Sequence, residues 1–298
     1  MVRIVTAGHV NWDVTLRVDA LPEPDGEARI ESQRSAGGGS AANVAVALAG
    51  FDLDTGVVGS VGDDENGILA RRELDQSGVD TDHLLVVEDA ETSVKYLVVD
   101  EAGEVMVLGN EGANEAVDPA DVDPDYVAAA EHVHLTSQRP ETAAYLAAVA
   151  GDAGCTVSFD PGRRLDDRDY AETVEAADVL FLNEREAETY YDGPVETEHV
   201  GDERVVVVKH GPQGATVYTL GGVYEHPGFD VETVDTTGAG DAFAAGFLAT
   251  LVEHPEAYER ALEYANACGA LAARGEGART APSAPEVDAF LDEWAPGS

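Results

Sequence analysis

The chain has 298 residues, 59 acidic against 17 basic side chains, a formal net charge of −42 and 44% hydrophobic residues. That hydrophobic share excludes a disordered polyanion, and the lack of clustered Lys and Arg excludes a protein built to displace counterions from nucleic acid or an anionic membrane. Two isolated cysteines, Cys155 and Cys268, exclude a disulfide scaffold and read as core residues, while acid spread along the whole chain points to a halophilic source, where screening tolerates self-repulsion.

Residues 3–7 form an apolar run ending at Gly8, read as a buried strand. No signal-peptide pattern precedes it and no apolar run approaches membrane-spanning length, so a cytoplasmic protein is expected. Just beyond the strand stand Asn11 and Asp13, two apart and on one side of an extended chain, where α/β folds meet their ligands. Capping of a turn would also account for them. From about 14 to 34, apolar and polar residues alternate around Leu21-Pro22-Glu23-Pro24-Asp25-Gly26, a hairpin-like excursion with one covered face. Ala36-Gly37-Gly38-Gly39-Ser40-Ala41-Ala42-Asn43 then opens a helix ending at Gly50. Its Gly37-x-Gly39-x-x-Ala42 spacing nominally meets the dinucleotide fingerprint of an oxidoreductase. The preceding Glu31-Ser32-Gln33-Arg34-Ser35 is no buried strand, however, and the strand near Val57-Val58 runs into Gly59-Ser60-Val61-Gly62-Asp63.

A helix carrying Ile68, Leu69 and Leu74 stops at Gly78, and short β runs follow at 83–87, 93–100 and 104–108, the last two joined by Glu101-Ala102-Gly103. Lys95, one of only two lysines, is either a solvated strand residue or a cation for an anionic group on a substrate. From Glu131 strands and helices alternate: strands at 133–136, 156–160 and 179–182, helices at 141–153 and around 170–176, which is a doubly wound, mostly parallel α/β pattern. Asn183 and Glu186 open the next helix one turn apart, as a capping box or as a polar pair facing a ligand. The apolar strand 205–208 ends in Lys209-His210-Gly211-Pro212-Gln213-Gly214, and a hairpin over 215–219 and 222–226 follows.

An extended run at 231–234 leads into Asp235-Thr236-Thr237-Gly238-Ala239-Gly240-Asp241 and an Ala-rich helix reaching Leu251. Helix-initial N–H groups and the helix dipole suit a phosphate-like anion, and Asp241 adds a base beside it. Anion cradle plus base is what phosphoryl transfer to an alcohol needs. A glycine-rich turn capped by Asp is the plainer alternative. A helix at 258–274 contains Asn266, and a last one runs near 286–294.

Residues 235–246 resemble the second signature of the ribokinase-like (PfkB) carbohydrate kinases. Gly38, Gly39 and Asn43, continuing through Gly59-Ser60-Val61-Gly62-Asp63-Asp64 to Gly67, resemble the first, and the likeness spans about residues 3 to 290. It implies one ribokinase-like domain over 1–298 with a small β lid formed by about 14–34 and 83–108, and a homodimer through that lid. It implies ATP with Mg²⁺ as cofactors, Asp241 as base, and Gly238, Ala239 and Gly240 holding the moving phosphoryl. Asn11, Asp13, Gly38, Gly39 and Asn43 would bind a sugar, and Asn183, Glu186, Lys209, Gly211, Gly214 and Asn266 the nucleotide. Glu186 would hold Mg²⁺ through water, and Asp235 and Thr237 would neighbour a K⁺ site. Members acting on free ribose carry a Glu and a Lys where this chain has Thr136 and Ser40. A pentose or hexose therefore stays open beside ribose 1-phosphate, which Lys95 and Arg139 favour, 2-keto-3-deoxygluconate, or a nucleoside stacked on Trp12. A non-catalytic sugar-binding protein is the rival class, though it would be expected to lose Asp241 or the glycine turn.

Overall fold

The computed structural model describes residues 2–102, 104–197, 200, 204–275, 277 and 279–294. In chain order, β1 (Ile4–Ala7), β2 (Asn11–Val18) and β3 (Ile30–Gly38) precede α1 (Ser40–Gly50), β4 (Thr55–Gly62), α2 (Glu65–Gln76) and β5 (Leu84–Val87). Then come β6 (Val94–Val99), β7 (Val105–Gly109), α3 (Pro124–Ala128), β8 (His132–Thr136), α4 (Pro140–Ala153) and β9 (Thr156–Asp160). The chain continues through α5 (Ala171–Ala176), β10 (Val179–Asn183), α6 (Glu184–Tyr191), β11 (Val205–Lys209), β12 (Ala215–Thr219) and β13 (Gly222–His226). Helices α7 (Ala239–Glu253), α8 (Tyr258–Ala273) and α9 (Ala284–Trp294) complete it.

The large sheet has the order β13-β12-β11-β10-β9-β8-β1-β4-β5. Neighbours from β11 to β5 are parallel, and the β12–β13 hairpin closes one edge antiparallel. Strands such as Val205-Val206-Val207-Val208 are apolar throughout because helices cover both faces. On one face Leu135, Phe159 and Leu180 pack against α4 and α5; on the other Phe181 meets Phe247 of α7 edge-on, with ring centroids 5.5 Å apart. Gly246 brings α8 close to α7, since a Cβ there would stand 2.6 Å from Cys268 Sγ. Both cysteines are free and buried, as core residues should be.

A second sheet, β3-β2-β6-β7, stands over the carboxyl ends of the large one. Asp13, Thr15 and Arg17 of β2 and Lys95, Leu97 and Val99 of β6 sit in register on one face. Membership differs from the sequence expectation in one strand: the run at 83–87 is β5, which pairs with β4 at the edge of the large sheet. Leu84 packs there with Val57 and Val61, and apolar burial outweighs proximity to the lid strands in sequence. No strand forms at 231–234, because the N–H groups of Val234 and Asp235 donate to the carbonyl of Ala273 at the end of α8. Helix α3, not anticipated, starts on Pro124 with Asp123 as its cap. Gly103 of the lid turn lies outside the described residues. Among these residues no helix is long and apolar enough to cross a membrane.

Candidate active site

The carboxyl ends of the central strands, the start of α7 and the inner face of the small sheet enclose a cleft of about 1150 Å³. This is where an open α/β sheet places a ligand. Both lysines of the chain line it, as do Arg17, Arg34, Arg163 and Arg164, in a molecule otherwise strongly acidic.

At one end Gly238 caps α7 with φ 78°, a left-handed turn that glycine adopts without strain. The chain then enters the helix through Ala239 and Gly240, which sets Asp241 in its first turn facing the cleft. Asn43 Nδ2 donates to Asp241 Oδ2 at 2.8 Å, tying α1 to α7. Withdrawal from water pushes the Asp241 carboxyl up to about 6, with Asn43 and Lys209 pulling down against it and Asp160 adding to the rise. A carboxylate poised there is a base suited to near-neutral pH. Gly238 and Gly240 line the cleft, but the Ala239 N–H closes the turn onto the Thr236 carbonyl at 3.1 Å, so it is spent within the protein.

Lys209, ending β11, donates to Asp160, ending β9, at 2.5 Å. Burial works against its charge, yet Asp160 with Glu186 and Asp241 holds its pKa above the ordinary lysine value. Asn183 and Glu186 form a full capping box, each side chain accepting the other's N–H at 2.9 Å, and both also line the cleft. Burial raises the Glu186 carboxyl, and the neighbouring Asp160 adds to that. Asp235 Oδ1 accepts the Thr237 N–H and Oδ2 the Gly277 N–H, so this carboxylate braces the corner from behind.

The other end combines amides and a hydroxyl with the carboxylate of Asp13. Asn11 is fully buried behind Asn114, whose Nδ2 donates to Asn11 Oδ1 at 2.5 Å. Asn11 Nδ2, Asp13 Oδ1, Asn43 Oδ1, Asn114 Oδ1 and Ser137 Oγ are all buried without a hydrogen-bond partner among the described residues. Gly39 lines this end, and Gly38 packs against Asp13, where a Cβ would stand 2.2 Å from Oδ2. Glu115 joins His9 at 2.8 Å and Arg168 at 2.9 Å. Burial would raise its carboxyl, but these two partners take it down to about 2.

Five residues singled out in the sequence stand elsewhere. Arg139 points away from the cleft, its guanidinium bonded to Asp118 and to the Val117 carbonyl. Gly211 and Gly214 lie on the turn beyond Lys209, outside the cleft lining, and Gly214 packs against the backbone of 226–228. Asn266 is buried in α8 with Nδ2 donating to the Leu262 carbonyl, the packing alternative to a ligand role. Trp12 is likewise buried, in the core with Val14 and Val94, and among the described residues no Phe, Tyr or Trp lines the cleft.

The sequence reading missed Asp160, Arg163, Arg164, Asn114, Glu115 and Ser137. A signal existed for the first three, because Asp160-Pro161-Gly162-Arg163-Arg164 follows directly on a strand end and pairs two arginines in a chain poor in them. Asn114 and Glu115 come from an irregular segment with no periodicity to place it.

The profile of the pfkB family carbohydrate kinases matches residues 1–285. An ATP-dependent ribose-1-phosphate kinase from the halophile Halopiger xanaduensis is 63% identical over 98% of this chain and 99% of its own length. Among solved structures, an Arabidopsis thaliana ribokinase complexed with ribose and ATP superposes with a TM-score of 0.87 at 26% identity, over 98% of this chain and 99% of that one. The Methanocaldococcus jannaschii nucleoside kinase does so at 0.84 and 26%, over 98% and 99%. With this fold, this cleft and these relatives, the chain belongs to the pfkB family of carbohydrate kinases and is an ATP-dependent phosphotransferase whose acceptor is a sugar hydroxyl.

Proposed function

We propose that the enzyme phosphorylates a sugar that already carries a phosphate, of the ribose 1-phosphate class, with Asp241 taking the proton of the attacking hydroxyl. The observation that carries this is the set of cleft cations. Lys95, Arg163 and Arg164 face the cavity, and among the described residues their charged groups make no hydrogen bond. Arg164 stands 3.9 Å from both Glu111 and Glu115, in attraction but out of bonding range. In so acidic a chain, cations gathered at one cavity suit a substrate and cofactor that are both anionic. The relative at 63% identity supports the same substrate class. A nucleoside fits less well, since a base would find no aromatic ring in the lining.

The donor groups suit ATP with Mg²⁺. Lys209 and the backbone around Gly238 and Gly240 offer positive charge to phosphates, and Asp160 and Glu186 offer the oxygen ligands that Mg²⁺ prefers. Such an ion neutralises phosphate charge when bound. Asp241, held by Asn43, orients the hydroxyl and accepts its proton, and the lid sheet excludes water that would compete as acceptor. A potassium ion beside Asp235 and Thr237 would further brace the corner. The lid's outer strand β7 exposes Val105, Val107 and Leu108 by more than half, and a second copy of the chain would cover them.

The test is ADP release in molar KCl with ribose 1-phosphate, ribose, a nucleoside and 2-keto-3-deoxygluconate. We expect kcat/KM for the sugar phosphate to exceed that for ribose by about a hundredfold, the worth of two charge-assisted contacts. Equal turnover of ribose would sink the substrate assignment, and turnover of none would sink the site.

A further inference from the structure

Behind the lid end of the cleft lies a buried cation that none of these roles uses. Arg279, in the segment after α8, has a side chain only 9% exposed. Its Nη1 donates to Glu73 Oε2 of α2 at 2.9 Å, and the same oxygen accepts the Gly37 N–H at 2.8 Å. The guanidinium is seated on Gly37: a Cβ there would stand 2.1 Å from Nη1 and 2.3 Å from Cζ. On the adjoining residue of the same strand, Gly38 bears the Asp13 carboxylate in the same way, 2.2 Å from where its Cβ would be. Two consecutive glycines thus seat a cation and an anion on opposite faces of one stretch of β3, the anion on the cleft side.

A purely structural arginine would spend its donors, yet Nε and Nη2 of Arg279 are buried with no partner, as is Oδ1 of Asp13. Burial raises the Asp13 carboxyl, and the two groups that oppose it are Lys95, in register on β6, and Arg279. Behind Arg279 stands Glu73 from α2; Arg34 of β3 and Arg17 of β2 lie along the same lid face. Across the cleft Asp241 of α7 contributes a like charge.

We infer that Arg279 is a positioning residue for the sugar: seated on Gly37 and tethered by Glu73 behind β3, it keeps the Asp13 carboxylate across the strand charged as an acceptor for substrate hydroxyls. Glu73 sets how much of that cation Asp13 feels. The inference rests on the reading that Asp13 meets those hydroxyls.

The experiment is the pH profile of kcat/KM for the sugar, with the KM for ATP measured alongside, in an Asp241→Asn background where the base no longer sets the acid limb, alone and with Arg279→Met, Glu73→Gln or Asp13→Asn added. Arg279→Met is expected to raise the sugar KM about tenfold and move the acid limb up by about one pH unit, the usual effect of losing a close opposite charge, with the ATP KM unmoved. Glu73→Gln should move the limb the other way, to lower pH, since Arg279 then acts on Asp13 undiminished. If Arg279→Met does not fold, this opposite shift still decides the matter. Limbs that stay in place in both variants, or a loss of sugar and ATP affinity together, overturn the inference. An Asp13→Asn enzyme that keeps its sugar KM overturns instead the reading beneath it.

Discussion

At the α7 end of the cleft the charged groups already have partners: Lys209 is bonded to Asp160, Asp241 to Asn43, and Glu186 to the Asn183 N–H. At the lid end Asn11, Asp13, Asn114 and Ser137 each hold a buried polar atom that has none. The contrast follows from cost. An isolated buried charge is too expensive to keep, so the ionised groups that do the chemistry come already hydrogen-bonded, Lys209 and Asp160 to each other and Asp241 and Glu186 to N–H donors. A polar amide or hydroxyl left waiting costs about 1–3 kcal/mol, and the one carboxylate among them, Asp13, has Lys95 and Arg279 nearby to offset its charge, so a bound hydroxyl can return the cost. One end is therefore complete before the substrate arrives, and the other is completed by it.

The largest expected effect strikes the finished end. Asp241→Asn should keep the bond with Asn43 while removing the base, lowering kcat by about 10²–10⁴ with little change in the KM for ATP. In the wild type, kcat should fall as pH drops below about 6, because the carboxyl takes up the proton it must accept from substrate. An Asp241→Asn enzyme with ordinary turnover would erase the distinction between the two ends. The next effect strikes the unfinished end. Gly38→Ala puts a Cβ 2.2 Å from Asp13 Oδ2 and must displace that carboxylate. We expect the sugar KM to rise about tenfold or more, the cost of roughly one lost charge-assisted bond, with ATP unaffected. Equal losses for both substrates in steady-state kinetics would show that the two ends are not separable.

How legible each end was in the sequence follows from the same division. The α7 corner is local: Gly238, Gly240 and Asp241 are set by one turn and one helix start, so a dozen residues carry their geometry. Asn11, Asp13 and Asn43 were legible as polar residues past a strand or opening a helix, and they do gather at one place. Asn114, Ser137 and Arg279 were not, because they arrive from segments distant in sequence whose placement depends on how the sheets close. Arg139 and Asn266 misled for another reason. Each bonds within the protein, Arg139 to Asp118 from a distant segment and Asn266 to the Leu262 carbonyl one turn back in α8. The parallel sheet was readable from its apolar runs, whereas β5 was misplaced because a short apolar strand does not declare which sheet it joins.

A third polar cluster sharpens the comparison, because it is buried like the lid end but lies outside the cleft. His132 Nε2 and His134 Nδ1 both meet Ser158 Oγ, at 2.7 and 2.8 Å, in the middle of the large sheet. Burial lowers both imidazoles, His132 to about 3, with His134 adding repulsion, and His134 to about 4, with Asp160 opposing the drop and Lys209 adding to it. Unfolded, both would titrate near 6.5. Between pH 6.5 and about 4 the unfolded chain therefore binds protons that the native chain refuses. Stability is fully present above 6.5 and falls as pH drops through that window, by about 1.4 kcal/mol per pH unit for each histidine. His132→Gln should flatten the acid-side slope by that amount and leave kcat at pH 7 unchanged, since neither ring touches the cleft. Denaturant midpoints taken from pH 4.5 to 7 at constant high KCl give both slopes, with the carboxylates common to the two proteins cancelling in the difference. Identical slopes would mean that these histidines are already charged in the native sheet, and that burial alone does not separate a structural polar cluster from a site.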